Sequence, residues 1–338
     1  MAYPAAVQVS VVIPCYNSLR YLPETLASVL DQDLPPELEG AYEVVLVDDG
    51  GSDDLAGWVE RLGDERVRVV RQDNAGVAAA RNTGIRSAKG EFVAFCDSDD
   101  LWEPTTVAEL WRAFGDDPRV GLTYGGYDVI DEEGRPTGRA SICDWQGEVW
   151  ERLITGNRIS ASVVMLRREV FDDVGYFAEN RHRFPVDVED WELWLRVAAR
   201  WRVGVAPRVL MHVRRHGENA TLDIESLEAA YANLLEVAFA DVSPERRALR
   251  PVCAANIEVR IASMWLNDRR DARTALEHLR RARREWVGVR RDPEYWKLVG
   301  SAAALRLTGP RGFEALRHSS RSARRALRRL DDRRWQRT

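Results

Sequence analysis

One stretch, residues 67–104 (VRVVRQDNAGVAAARNTGIRSAKGEFVAFCDSDDLWEP), constrains the fold of this chain more than any other. Val67–Val70 is a β-branched run that favours a strand. Asn74 and Gly76 have turn chemistry, and Val77–Ser87 is alanine-rich and free of proline, which predicts a helix. Lys89-Gly90 reads as its stop, because glycine tolerates the left-handed conformation at a helix end. Phe92–Cys96 has the continuous apolar character of a strand buried on both faces. The chain then presents Asp97, Ser98, Asp99 and Asp100 in succession. Carboxylates this close repel one another unless a cation or hydrogen-bond donors compensate them. Hard divalent cations take oxygen ligands, often one or two carboxylates plus substrate phosphates. The carboxyl ends of parallel strands are also where open α/β sheets bind ligands. A metal–diphosphate site is one reading of this loop; a solvated acidic turn that caps the helix after Pro104 is the other.

The flanking sequence repeats the strand–helix alternation. Val9–Pro14 is an apolar strand, broken by Pro14-Cys15-Tyr16-Asn17-Ser18, and a helix is expected from about Arg20 to Gln32. Glu43–Val47 is the next strand and ends in Asp48-Asp49-Gly50-Gly51-Ser52-Asp53, followed by a helix over Leu55–Leu62. This alternation indicates a mostly parallel sheet flanked by helices, with Asp49 and the Asp97–Asp100 cluster on one edge. No GxGxxG or Walker A sequence follows the first strand, which excludes the usual dinucleotide and P-loop sites. Further strands are expected at Val120–Tyr124, Tyr127–Ile130, Ser162–Leu166, Val203–Val205 and Arg208–Val213, with a hairpin turn at Asp131–Gly134. Asp187–Arg200 has the apolar spacing of a helix, with Val188, Trp191, Leu195 and Ala198 on one face. Glu189 and Asp190 fall in its first turn, where the helix dipole favours anions.

A chain of 338 residues is longer than one core usually serves. The α/β pattern ends near residue 221, and 222–338 reads as a helical, arginine-rich second region. Residues 245–338 hold 25 Lys and Arg against 11 Asp and Glu, a balance of +14, which leaves 24 against 43 in residues 1–244. An acidic body joined to a basic region suggests different tasks for the two. Cys15, Cys96, Cys143 and Cys253 form no CxxC pair and are expected as reduced thiols in a cytoplasmic setting. The N-terminus reads as the first strand and not as a signal peptide, and no run of 18 apolar residues exists to span a bilayer.

Five segments carry a family resemblance: VSVVIPCYN, VVLVDDGGSDD, DNAGVAAARNTGI, GEFVAFCDSDDLW and VEDWELWLRVA. Loose one by one, they stand together in the order and spacing of the family 2 glycosyltransferases, over roughly residues 7–218. Gly51 departs from the pattern, which more often has serine there. The resemblance implies a GT-A fold and an inverting, divalent-metal-dependent enzyme. It implies that Pro14 and Tyr16 flank the nucleotide base and that Asp49 accepts from base or ribose. Arg81 would lie by the base or diphosphate, or pair with Asp49 or Asp97. Asp97 and Asp99 correspond to the two acids of a DxD motif, with Ser98 between them counted as donor-binding. Asp99 would ligate Mn²⁺ or Mg²⁺, Asp97 would face ribose or metal, and His216 in the Arg214-Arg215-His216 loop is a further metal candidate. Asp190 matches the general base that an inverting transfer needs, with Glu189 as the fallback and helix capping as the structural alternative.

The expected partners are therefore a UDP, GDP or dTDP sugar and a glycan or lipid-linked saccharide acceptor. The loop from Phe177 to Pro185 is expected to set acceptor specificity. The segment Arg311–Leu330 has arginines on an amphipathic pattern and no acid between Ala315 and Leu330. It suits an anionic bilayer surface, which would place the protein peripherally on the inner face of the plasma membrane; docking on the acidic body of this chain or a neighbour, or a solvated arginine face, are the alternatives. Nucleic acid is not expected as a partner, since the tail lacks interleaved aromatics. A nucleotidyltransferase is the rival enzyme, but Pro14–Ser18 has no glycine-rich basic loop to hold a triphosphate. A non-catalytic sugar-nucleotide binding module is the rival outside enzymes.

Overall fold

The computed structural model describes residues 7–180, 188–217, 224–240 and 242–313. The chain divides into two compact units, Met1–Ser243 and Pro244–Thr338. The helix Ile224–Ala238, expected in the second region, belongs to the first unit: Tyr231 packs edge-on against Trp191, and Phe239 just beyond the helix against Trp150.

A nine-stranded sheet organises the first unit. Its strands are β1 (Val9–Cys15), β2 (Tyr42–Asp48), β3 (Val67–Arg71), β4 (Phe92–Phe95), β5 (Leu101–Trp102), β6 (Val120–Ile130), β7 (Pro136–Ser141), β8 (Val164–Arg167) and β9 (Arg202–Arg214). The order is β3-β2-β1-β4-β8-β6-β9-β5, with β7 hydrogen-bonded to β6. β3, β2, β1 and β4 are parallel, as the strand–helix alternation predicts. Beyond β4 the sheet is mixed: β8 runs antiparallel to both β4 and β6, and β9 returns parallel to β6. β1 and β2 are buried along nearly their whole length, which is why they read as unbroken apolar runs.

Two breaks expected from the sequence are bends within long strands. Gly125-Gly126 does not separate two strands but lets β6 continue through a register shift. A Cβ on Gly125 would lie 2.7 Å from Leu210, and one on Gly126 would lie 2.8 Å from the Arg208 carbonyl. Opposite, Pro207 sits in a bulge of β9, between the pairings Gly125–Ala206 and Gly126–Val209.

The helix Val77–Ser87 also ends differently from expectation. Ala88 caps it in an extended conformation, and Gly90 is not left-handed. The stop comes from tertiary contacts. Glu43 Oε1 accepts from Ser10 Oγ (2.6 Å) and from the Lys89 N–H (2.7 Å), and the Gly90 N–H donates to Ser10 Oγ (2.9 Å). Glu43 Oε2 accepts from Arg68 Nε at 3.0 Å, so one buried carboxylate ties β1, β2, β3 and the helix end together. Gly90 is needed for close approach, because a Cβ there would lie 2.7 Å from the Ser10 nitrogen.

The second unit is helical, with helices Pro244–Arg247, Arg250–Asn267, Ala272–Glu285 and 293–313 and a 3₁₀ turn at Val287–Arg291. Its core pairs small residues (Ala255, Ala262, Ala275, Ala282) with Leu266, Leu279 and Leu298. Among the described residues no helix is long and apolar enough to cross a membrane.

Glu43 yields a test. Burial alone would raise its pKa, but Arg68, Ser10 and the Lys89 N–H hold it below the ordinary glutamate value. A depressed carboxylate stabilises the fold above its unfolded pKa and loses that contribution as pH falls through the folded pKa. Glu43→Gln is expected to cost about 2 kcal/mol at neutral pH. In urea titrations from pH 7 to pH 3 the gap from the parent should shrink on the acid side.

Candidate active site

β1, β2 and β4 end on one edge of the sheet, and the loops after them carry the residues singled out in the sequence. Pro14 lies within β1, beyond Val12, the last β1 residue that β4 pairs. Tyr16 follows, just past the end of β1, with 56% of its surface exposed. Asn17 takes a left-handed φ of 49°, and its Oδ1 accepts from the Ser52 N–H and hydroxyl. Gly51 presses on this turn: a Cβ there would lie 2.9 Å from the Asn17 nitrogen, so serine would not fit without a shift.

Asp49 is buried and already engaged. Its Oδ1 accepts from Gln72 Nε2 (2.7 Å) and the Ala75 N–H (2.8 Å), and its Oδ2 accepts from the Gly76 N–H (2.8 Å). It therefore fixes the loop before the helix Val77–Ser87.

The centre of the site is Arg81, on the inward face of that helix and 3% exposed. Its Nη2 donates to Asp97 Oδ1 at 2.8 Å and its Nη1 to Glu189 Oε1 at 2.9 Å. The guanidinium also lies over the Phe177 ring at 5.5 Å. Burial disfavours its charge, but Asp97 and Glu189 more than offset this and raise its pKa. Of the two acids considered as its partner, Asp97 is contacted and Asp49 is not. Glu189 was not foreseen as a partner; its position in a first turn read as capping or as a spare base.

The acidic loop is compensated residue by residue. Asp97 pairs with Arg81 and donates its N–H to Ser162 Oγ. The Ser98 carbonyl accepts from Thr25 Oγ1 at 3.1 Å. Asp99 Oδ2 lies 2.9 Å from His216 Nε2. Burial and the neighbouring Asp97 raise the Asp99 pKa, with His216 opposing. Asp100 is buried and accepts from the Arg214 N–H at 3.1 Å; burial, Asp99 and Asp97 push its pKa well up. Arg214, 2% exposed, donates further to the carbonyls of Asp99 and Glu132 and to Glu24. Tyr21 stacks on His216 at 4.5 Å. His212, on β9, bridges Asp128 of β6 and Glu103 just after β5.

Asp190 begins the helix Glu189–Arg200 and is 8% exposed. Asn157 Nδ2 stands 3.3 Å from each of its carboxylate oxygens. Asn157 escaped notice in the sequence, where a lone Asn before a strand carries no signal. Of the loop expected over the site, residues 181–187 lie outside the described residues. Among the described residues no three His, Cys, Asp or Glu side chains gather closely enough to hold a cation by themselves. Asp99 and His216 adjoin, while Asp97 is turned to Arg81. Such a donor set suits a cation completed by substrate phosphates and not an all-protein cage.

An α/β sheet with strand-end acids and this topology defines the GT-A class. Solved structures with the same fold include Staphylococcus aureus TarS 1–349 in complex with UDP-GlcNAc (TM-score 0.54, 20% identity, 84% of this chain and 92% of that one). Another is the mannosyltransferase PcManGT from Pyrobaculum calidifontis in complex with GDP-Man and Mn²⁺ (TM-score 0.55, 19% identity, 93% and 84%). Residues 10–175 match the model of Glycosyl transferase family 2, so this segment of the first unit is a domain of that family. It is 30% identical over 218 residues to an uncharacterized glycosyltransferase of Rickettsia bellii (strain RML369-C), covering 63% of this chain and 30% of that protein. It is 28% identical over 191 residues to the Escherichia coli UDP-Glc:alpha-D-GlcNAc-diphosphoundecaprenol beta-1,3-glucosyltransferase WfgD, covering 56% and 69%. The chain spans about a third of the length of the first curated relatives it matches.

Replacing Arg81 by Met should leave Glu189 buried, and Asp97 half-buried, without their shared cation. Removing one partner of a buried ion pair costs about 3–5 kcal/mol. Chemical denaturation of the purified variant is expected to register a loss in that range, and Arg81→Lys a smaller one.

Proposed function

We propose that the first unit transfers a sugar from a nucleotide-diphosphate sugar to a hydroxyl of a glycan or lipid-linked saccharide, with inversion and with a divalent cation. The observation that carries this reading is the Arg81 bridge. It joins the Asp97–Asp99 loop to the start of the helix Glu189–Arg200. A donor-phosphate site and a carboxylate base are the two things such a transfer requires close together. The complexes of the two structural neighbours with UDP-GlcNAc and GDP-Man support a donor of this kind, and the activity in the name of the E. coli relative supports a lipid-linked acceptor.

Tyr16, exposed just past the end of β1, would stack on the nucleotide base beside Pro14, and Asp49 would shape the loop that receives base or ribose. Ser98 and Asp97 would face the donor. Asp99, Asp97 and His216 would hold the cation together with the donor phosphates, and carboxylate plus imidazole suits Mn²⁺ as well as Mg²⁺. When bound, the cation supplies charge stabilisation for the departing diphosphate. Asp190 takes the proton of the acceptor hydroxyl as its oxygen attacks the anomeric carbon. The bond from that carbon to the diphosphate oxygen breaks, and the nucleoside diphosphate leaves with the electron pair. Glu189 is committed to Arg81, which leaves Asp190 as the base, oriented by Asn157. A position on the inner face of the plasma membrane would suit the acceptor.

Calorimetry with UDP, GDP, dTDP and CDP, each with and without Mn²⁺ or Mg²⁺, tests the donor site. Metal-dependent binding of one of them is expected, and Asp99→Asn should abolish the metal dependence. Asp190→Asn should keep donor binding and lose transfer by about 10²- to 10⁴-fold; full turnover in that variant would place the base elsewhere.

A further inference from the structure

The second unit carries a surface that the crevice does not use. The helix Ala272–Glu285 turns Ala275, His278, Leu279 and Ala282 to its own core and leaves Arg280, Arg281, Arg283 and Arg284 exposed. Arg290 and Arg291 follow on the exposed 3₁₀ turn. Between residues 280 and 291 six arginines stand against the one carboxylate of Glu285. Among the described residues none of the six makes an ion pair or a side-chain hydrogen bond, in contrast to Arg273 and Lys297 nearby, which pair with Glu277 and Glu294.

Apolar groups are set among these charges. Val287 is 67% exposed, Trp296 50% and Trp286 37%. They are held in place at the turn. Trp296 Nε1 donates to the Arg290 carbonyl at 2.8 Å, and Tyr295 packs edge-on against its ring. The Trp286 ring lies across Gly288, where a Cβ would fall 2.2 Å from it.

We propose that this face docks on an anionic lipid bilayer. Indoles and a valine beside uncompensated cations match the boundary between headgroups and acyl chains, where tryptophan is favoured and each basic side chain is drawn to anionic lipid. An acidic protein surface would satisfy the arginines but give Val287 and the indoles no reason to stand in water. A nucleic acid would take the arginines and stack on tryptophan, but it too leaves the valine unused. Nearly all of the segment Arg311–Leu330 lies outside the described residues, and the patch rests on neither that segment nor the catalytic reading nor the donor site.

Co-sedimentation of the full chain with phosphatidylcholine vesicles, with and without phosphatidylglycerol, tests the docking. Binding is expected only to the anionic vesicles and should weaken with added salt. The triple variant Arg280→Glu, Arg281→Glu, Arg284→Glu should reduce it by about tenfold or more, and Val287→Asp by about threefold or more. Both variants alter exposed side chains, so melting temperature and nucleotide binding should stay at parent values. Parent-level vesicle binding by the triple variant, equal binding to neutral vesicles, or release from anionic vesicles by a single-stranded RNA that the triple variant does not bind would each overturn the proposal.

Discussion

The first unit depends above all on the buried cation of Arg81. Arg81 is fixed by a helix between β3 and β4, and it reaches Asp97, 16 residues away, and Glu189, 108 residues away. Without it the Asp97 loop and the start of the helix Glu189–Arg200 would carry like charges toward one another in a poorly solvated crevice. With it the two acids attract a common partner, and the loop and the helix are drawn to the same edge. Burying a charge is costly unless it is paired and hydrogen-bonded, so the geometry is narrow: a shorter or differently branched cation could not span both carboxylates.

Arg214 performs the matching task on the other side of the loop. Its N–H holds Asp100, its guanidinium takes the Asp99 and Glu132 carbonyls and Glu24, and Tyr21 lies beneath it at 5.4 Å. Because β9 delivers Arg214, it also delivers His216 two residues later to Asp99. Asp97 is thus met by the Arg81 guanidinium, Asp99 by the His216 imidazole and Asp100 by the Arg214 backbone N–H. Their mutual repulsion, evident from sequence as a problem, is solved by residues distant in sequence.

What could be read from sequence follows the range of the interactions. The parallel half of the sheet was legible because each strand is locally apolar and each helix locally regular, and Val77–Ser87 and Leu55–Leu62 fall where composition places them. The misreadings share one cause. Gly90 looked like a helix cap, and Gly125-Gly126 and Ala206-Pro207 looked like strand breaks. In each case a neighbouring backbone or carboxylate, brought in by the fold, decides the outcome. At the site, the acids were visible as a cluster, but Asn157 and the Glu189 pairing were not. A single polar residue acquires its role from what stands opposite, and sequence spacing does not encode that.

The electrostatic sign of the crevice bears on the proposed reaction. A nucleotide-diphosphate sugar is an anion, and the body that would bind it carries a large excess of acids. Arg81 and Arg214 are spent on internal carboxylates and carbonyls. Arg215, exposed beside His216, makes no ion pair among the described residues and is the one arginine of that loop left to meet phosphate. A single surface guanidinium is a weak counterweight to two phosphates at the mouth of an acidic crevice. A divalent cation held by Asp99 and His216 would reverse the local sign where the phosphates enter. In the proposed reaction the acids that would repel the donor would then fix the ion that attracts it, so donor affinity and cation occupancy would be two sides of one equilibrium.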